Sequence, residues 1–298
     1  MKDLKLRSIN QKLALCGFAI CLLLSFSAAA VAQRAIPDDN LAYPVLIKLN
    51  TCDIQGSGFF LDTGSALFLV TARHVLFDES KPDHPLLCKD AELLSYSRDP
   101  RETDKNILVL DLEALSKAGN LKRHPTHDVA VINLGTALPH NPDQKIMMIP
   151  NPGVQIRAFA PSGVLAAGIQ TVKKMQEVLE ANEIYVFGFP SSIGLRQIPQ
   201  IDYLKPLIKR GIVAGKNAQL ETIIIDGFIY PGDSGGPVLE VDDEGLFKKK
   251  FSIIGVISQF VPLVETRTSQ ALGYSSMSFN NSGYSVVVPM DKVLELTK

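Results

Sequence analysis

The sequence has no surplus of charge of either sign: 30 Lys and Arg stand against 31 Asp and Glu in 298 residues, a formal charge of -1. Composition therefore offers no electrostatic argument for nucleic acid or an anionic membrane as a partner. Histidine is scarce, five in all and none after His140, a shortage that separates two readings below. Internal repeats and low-complexity tracts are absent, which leaves an ordinary globular chain. At 46% hydrophobic and 20% charged, with 21 Gly and 18 Pro, it is long enough for one sizeable core or two.

Long apolar runs are missing too, except at the start. Lys2, Lys5, Arg7 and Lys12 precede an almost wholly apolar stretch from Leu13 to Phe26, and Ala30-Val31-Ala32 carries the small-x-small pattern of a signal-peptidase site. Residues 1–32 therefore read as a signal peptide, cleaved after Ala32. The alternative is an uncleaved anchor, since Leu13 to Ala32 is about the length that crosses a bilayer. Ser25, Ser27 and the alanines make it a weak one. Both readings export the remainder, to a secreted or periplasmic location, and only the second keeps it on a membrane. Beyond Ala32 there remain 26 basic and 30 acidic residues, a formal charge of -4.

Cysteine is scarce, four in all, and Cys16 and Cys21 leave with the leader. Cys52 and Cys88 remain as one even pair. In an oxidising compartment they are expected to form a disulfide bracketing the His74 segment; two buried thiols are the alternative.

Short Val-, Ile-, Leu- and Phe-rich runs separated by turn residues predict an all-β protein. A first set comprises Val45 to Leu49, Gly58 to Leu61, Ala66 to Thr71, Ile107 to Leu112 and Val129 to Leu134. A second comprises Ile184 to Phe189, Gly211 to Ala214, Thr222 to Asp226, Pro237 to Glu240, Phe251 to Ser258 and Tyr284 to Val288. Two sets suggest two β-barrels, residues 33–150 and 151–298. Leu165, Ile169, Val172, Met175 and Leu179 recur at helical spacing within Ser162 to Asn182 and predict an amphipathic packing helix between the barrels. Met290 to Thr297 reads as a short closing helix.

The chemistry begins at Pro231-Gly232-Asp233-Ser234-Gly235-Gly236-Pro237. A serine hydroxyl is a poor nucleophile until a base takes its proton, and its tetrahedral intermediate needs backbone N–H groups aimed at the oxyanion. Flanking glycines let the chain make the sharp turn that aims them. The block also fits Gly-x-Ser-x-Gly, the nucleophile elbow of esterases and lipases, whose histidine follows the serine in the chain. Here all five histidines precede Ser234, so the elbow reading has no base. Among the five, His74 directly follows an apolar strand that could hold it. His84, His124, His127 and His140 sit beside Pro and polar residues in expected solvated loops, and His124-Pro-Thr-His127 has no further ligands for zinc. Asp128, at the mouth of an apolar strand, can hold the imidazole in the required tautomer.

Gly56-Ser57-Gly58-Phe59, Thr71-Ala72-Arg73-His74, Asp128-Val129-Ala130-Val131 and Gly232-Asp233-Ser234-Gly235-Gly236-Pro237 resemble the blocks of chymotrypsin-fold serine proteases. Phe187-Gly188-Phe189-Pro190, Arg210-Gly211-Ile212-Val213 and Gly283-Tyr284-Ser285-Val286-Val287-Val288-Pro289 resemble strands of the bacterial high-temperature-requirement branch. The resemblance spans Tyr43 to the C-terminus and implies two six-stranded antiparallel barrels. It makes Ser234 the nucleophile, His74 the general base and Asp128 its orienting partner. Gly232 and Ser234 supply the oxyanion hole, and Ser258 supports the acid. It implies polypeptide substrates and no cofactor or metal.

In pancreatic members the residue matching Asp233 pairs with a new N-terminus made by zymogen cleavage. Gln33-Arg34-Ala35-Ile36-Pro37 does not resemble that terminus, so the partner of Asp233 is left open. The peptide-binding domain that usually follows the catalytic domain of the high-temperature-requirement branch is not expected here. Ile229, Ser258, Phe260 and Gly283 match walls of the specificity pocket, which lacks a carboxylate at its base and has a ring on one wall. That implies a small or medium apolar residue before the cut bond. A protease-fold protein that binds peptides without cutting them is the alternative from another class, and an esterase is the weaker one.

Overall fold

The computed structural model describes residues 36, 42–97, 99, 101–138, 148–161, 163–191, 198–243, 245, 248–269 and 273–298. The expected signal peptide, with Cys16 and Cys21, and His140 lie outside them. Every element named here falls in the unit Asp39–Lys298.

Alternating and continuous apolar runs form strands because their branched side chains fit a pleated, half-buried surface, and here they form two sheets. The first contains β1 (Pro44–Leu49), β2 (Ile54–Asp62), β3 (Ala66–Thr71), β4 (Asp90–Tyr96), β5 (Lys105–Asp111), β6 (Leu121–Arg123), β7 (Ala130–Ala137), β8 (Met148–Pro150), β9 (Val154–Ala158) and β10 (Ala167–Gly168). Its order is β6-β7-β3-β2-β1-β4-β5-β9, with β8 added to β7 and β10 to β2. The second is a closed barrel of β11 (Glu183–Gly188), β12 (Leu207–Asn217), β13 (Thr222–Asp226), β14 (Pro237–Asp243), β15 (Lys249–Ser269) and β16 (Tyr274–Pro289). This is the chymotrypsin-like double-barrel architecture, with one difference. The first sheet holds ten strands where six are expected, and among the described residues its path runs open from β6 to β9. The additions β6, β8, β9 and β10 are only 2 to 5 residues long. Connecting segments lie against the sheet and acquire pairing that their sequence does not advertise.

The helix expected over Ser162 to Asn182 is not formed. That stretch holds β10 and two short 3-10 turns, Ile169–Thr171 and Met175–Glu177. Ile169 and Leu179, two members of the supposed stripe, are exposed, while Val164, Ala167 and Val178 are buried. Ala167 and Gly168 pair in parallel with Leu61 and Asp62, and Val172 bridges to Ile253. Backbone groups of the segment are thus satisfied by strands of both sheets, which outweighs the weak helical preference of an isolated stripe. The closing helix is present as Met290–Leu296, and two helices went unforeseen: α1 (Arg73–Leu76) and α2 (Leu112–Lys117), so the closing one is α3.

Each sheet buries its own core. Val45, Phe60, Leu69, Leu93, Leu110 and Ile132 belong to the first, and Ile184, Val186, Ile225, Val238, Ile254 and Val287 to the second. Leu46, Leu94 and Tyr96 of the first sheet meet Phe189, just after β11, in a buried apolar contact between the two. Cys52 and Cys88 form a disulfide, Cα to Cα 6.2 Å across a separation of 36 residues. Closing a loop of that length removes chain entropy worth roughly 4 kcal/mol from the unfolded state. The bridge thereby secures the segment that carries His74.

Candidate active site

β3 and β7 run antiparallel with Thr71 opposite Ala130. The residues just after β3 and just before β7 therefore emerge at the same end of the sheet. Those residues are His74, on the single turn α1 anchored by buried Val75 and Leu76, and Asp128. His74 Nδ1 lies 2.8 Å from Asp128 Oδ2, and the His74 backbone N–H donates to Asp128 Oδ1 at 3.0 Å. Ser258 Oγ donates to Asp128 Oδ2 at 2.6 Å, reaching across from the second barrel. Arg73 ties α1 to the Asp128 loop by donating to the carbonyls of His124 and Pro125 at 2.9 and 3.3 Å.

These contacts set the proton affinities. Burial would raise the Asp128 carboxyl, but the hydrogen bond and charge of His74, with the Ser258 hydroxyl, hold it below the ordinary carboxylate range. Burial would likewise lower His74, yet the Asp128 hydrogen bond and charge, helped by Glu79, raise it above its ordinary 6.5. Such a pair favours a charged imidazole, the state a general base must pass through.

Ser234 stands in the loop before β14, where the chain makes two left-handed turns. Gly232 has φ +98 and Gly235 φ +88. A Cβ on Gly235 would lie 2.0 Å from the Ser57 carbonyl, and one on Gly232 would lie 2.4 Å from that of Phe189. Only glycine fits both places. Ser234 Oγ donates to the Ser258 carbonyl at 3.2 Å. Among the described residues, the N–H groups of Gly232 and Ser234 donate to no protein acceptor, so both remain open to a developing oxyanion.

Two residues without an assigned role hold this loop. Ser57, fully buried on β2, grips it from the first sheet: its N–H donates to the Ser234 carbonyl at 2.9 Å, and its Oγ donates to the Gly232 carbonyl at 2.6 Å. The Phe189 N–H in turn donates to Ser57 Oγ at 2.9 Å. Lys209, on β12, forms an ion pair with fully buried Asp233, which also accepts the Tyr230 N–H at 2.7 Å. The Lys209 ammonium lies 5.3 Å from the centre of the Tyr230 ring. Burial dominates both partners, pushing the Asp233 carboxyl up and the Lys209 ammonium down. Ser57 was visible in the Gly-Ser-Gly block. Lys209 carried no signal at all, being one lysine in a strand whose partner lies across the barrel.

His74, Asp128, Ser234, Ile229, Ser258 and Phe260 line one cleft of about 880 Å³. Gly283 lies outside its lining; its carbonyl accepts the Gly227 N–H at 2.8 Å and its Cα faces the Phe228 ring. His124 is not a solvated loop residue. It is buried against His127, with Nε2 3.1 Å from Glu295 of α3, because α3 folds back over that loop. His127 lines the cleft rim, and burial lowers its pKa. Among the described residues no group of three His, Cys, Asp or Glu side chains could hold a metal ion.

A double β-sheet body with serine, histidine and aspartate converging on one cleft defines a serine hydrolase of chymotrypsin architecture. The profile of the trypsin-like peptidase domain matches residues 56–246, and the chain belongs to that family of serine endopeptidases, whose substrates are polypeptides. Similar solved structures include the HtrA-type protease AlgW with a tripeptide, 16% identical at a TM-score of 0.45, aligned over 86% of this chain and 58% of that one. The chain thus spans little more than half the length of AlgW. Deg5 is 14% identical at a TM-score of 0.44, over 88% and 95%. The thermostable serine protease AL20 from an extremophilic microorganism is 10% identical at 0.47, over 87% and 96%. No curated protein sequence matches.

Proposed function

We propose that this peptidase is exported and cuts peptide bonds through a Ser234-His74-Asp128 triad and an acyl-enzyme. One observation carries the reading: the Asp128 carboxylate accepts from both His74 and Ser258 at the cleft that Ser234 lines, where its own N–H and that of Gly232 are open. Residues 33–150 supply His74 and Asp128, and residues 151–298 supply Ser234. The basic, then apolar, leader supports export to a secreted or periplasmic space.

In the first step Ser234 Oγ leaves the Ser258 carbonyl, attacks the scissile carbonyl carbon and gives its proton to His74 Nε2. Asp128 keeps the other ring proton in place and balances the imidazolium. The oxyanion takes hydrogen bonds from the Gly232 and Ser234 N–H groups. His74 then returns its proton to the leaving amine as the C–N bond breaks, leaving an acyl-Ser234 ester. Water repeats the sequence and frees the acid. Ile229 and Phe260 flank the cleft, the segment Gly227 to Tyr230 carries no carboxylate, and the lining acids Glu79, Glu221 and Asp128 are engaged by Arg73, Lys292 and His74, so a buried Lys or Arg of the substrate would find no free counter-charge there. A small or medium apolar residue before the cut bond is the preference this supports.

A fluorophosphonate probe on the protein beyond residue 32 tests the reading. Labelling of the wild type and none of Ser234→Ala is expected. An unlabelled wild type, folded and without hydrolysis, would leave a peptide-binding protein in its place.

A further inference from the structure

β14 pairs with β15 only as far as Val256, and β13 pairs with β16 only from Tyr284 onward. From Pro262 opposite Asn281 to Ser269 opposite Tyr274, β15 and β16 pair with each other alone. They form a two-stranded ribbon extending roughly 25 Å past the barrel at about 3.3 Å per residue. An isolated two-stranded ribbon is marginal in water, and this one carries apolar side chains in the open. Leu263, Val264, Tyr274, Met277 and Phe279 are 48 to 65% exposed.

The register sorts its two faces, because opposite residues share a face and successive ones alternate. One face holds Val264 with Phe279, Thr266 with Met277, and Thr268 with Ser275, and no charge. The other holds Glu265 and Arg267, 3.6 Å apart. Upstream, the same strand passes through the cleft: Ser258, Gln259 and Phe260 line it beside Ser234. By alternation along β15, Phe260, Pro262 and Val264 fall on one side, so the uncharged face begins at the cleft wall, across an irregularity in the pairing between Phe260 and Pro262.

We propose that this ribbon is a second binding element for the polypeptide being cut, a reading that rests on the proposed function. It takes an extended, uncharged, apolar-rich stretch along Val264, Phe279 and Met277. Ser258 to Val264 spans roughly 20 Å, so the stretch lies about six to nine residues from the cut bond. Pro262 lacks an N–H, and charges sit on the reverse face, features that discourage pairing with another sheet edge. Recognition thus runs through side chains. The apolar area of one ribbon face is of the order of a few hundred Å². A stable complex of two copies needs about 800 Å² from each partner, which favours a peptide over a second copy.

The test compares one short peptide around a cut site with the same peptide extended by about ten uncharged, apolar-rich residues, enough to reach the ribbon. The extension is placed at either end. Wild type is expected to cut the better extended form with kcat/KM about tenfold higher, roughly what burying one or two apolar side chains supplies. The triple variant Val264→Ser, Met277→Ser, Phe279→Ser should lose that advantage. It should keep its rate on the short peptide and its fluorophosphonate labelling. An unchanged advantage in the triple variant, or none in wild type, overturns the proposal. So does a wild-type dimer that the variant abolishes while the advantage persists. Should wild type hydrolyse nothing, anisotropy of the labelled extended peptide on Ser234→Ala protein decides separately: binding lost in the triple variant supports the ribbon, and equal or absent binding refutes it.

Discussion

Asp128 faces the catalytic histidine and Asp233 sits in the serine loop itself, and the two halves of the molecule treat these acids in opposite ways. Asp128, carried by the first sheet, accepts from a backbone N–H, from Ser258 and from His74, and its carboxyl is held down. Asp233, inside the second barrel, meets Lys209 and the Tyr230 N–H, but its Oδ1 has no hydrogen-bond partner among the described residues and burial pushes its carboxyl up. One acid faces a partner in a solvent-reaching cleft whose charge can change; the other is itself sealed in the barrel and faces a mostly buried cation. The first arrangement suits proton transfer. The second suits holding a loop in one shape.

If that contrast is right, the largest losses come from the changeable side. Ser234→Ala and His74→Ala should each cost about four to six decades in kcat, and Asp128→Asn about four, with the fold kept. Peptide hydrolysis alongside circular dichroism measures this. Near-normal turnover in Asp128→Asn would remove Asp128 from the mechanism.

On the sealed side the expected loss is in stability. Lys209→Met removes the cation that faces buried Asp233, which should cost about 3–5 kcal/mol by urea titration. Lys209→Met combined with Asp233→Asn should recover most of it. If the single variant unfolds at the wild-type midpoint, the pair does not anchor the loop.

The same contrast shapes the pH profile. His74 must be neutral to accept a proton, so kcat/KM should rise with pH through a midpoint above 6.5, because Asp128 raises the imidazole. Stability runs the other way: the His74–Asp128 contribution is complete below 6.5 and fades as pH climbs through the raised value. At the alkaline end, Lys209 should lose its charge below the ordinary 10.5, because burial disfavours the ammonium, and activity should fall with it. Asp128→Asn should move the acid limb of its residual activity downward and leave the alkaline limb in place.

The smallest effect belongs to Ser258→Ala. It removes one donor from Asp128 and leaves both His74 contacts, so a loss of about tenfold to a hundredfold in kcat is expected, the worth of one hydrogen bond to a charged group. A loss as large as that of Asp128→Asn would mean that Ser258 holds more than the carboxylate.

What the sequence by itself determined is local. Glycine at 232 and 235 permits the left-handed turns that the serine loop makes, and apolar runs such as Ala66–Thr71 and Thr222–Asp226 became strands with the bounds read from their residues. The chain order of His74, Asp128 and Ser234 was also plain before any fold was known. Tertiary structure decided the rest. The stripe from Leu165 to Leu179 reads as a helix, yet pairing with Leu61, Asp62 and Ile253 claimed its backbone. Lys209 carries no signal in the sequence, and β12 turns it inward to Asp233. The strand read over Tyr284 to Val288 begins ten residues earlier, at Tyr274, and outruns the barrel with Met277 and Phe279 exposed. Propensity and turn geometry act over a few neighbouring residues, whereas the pairing of a backbone or a buried charge depends on groups brought close only by folding.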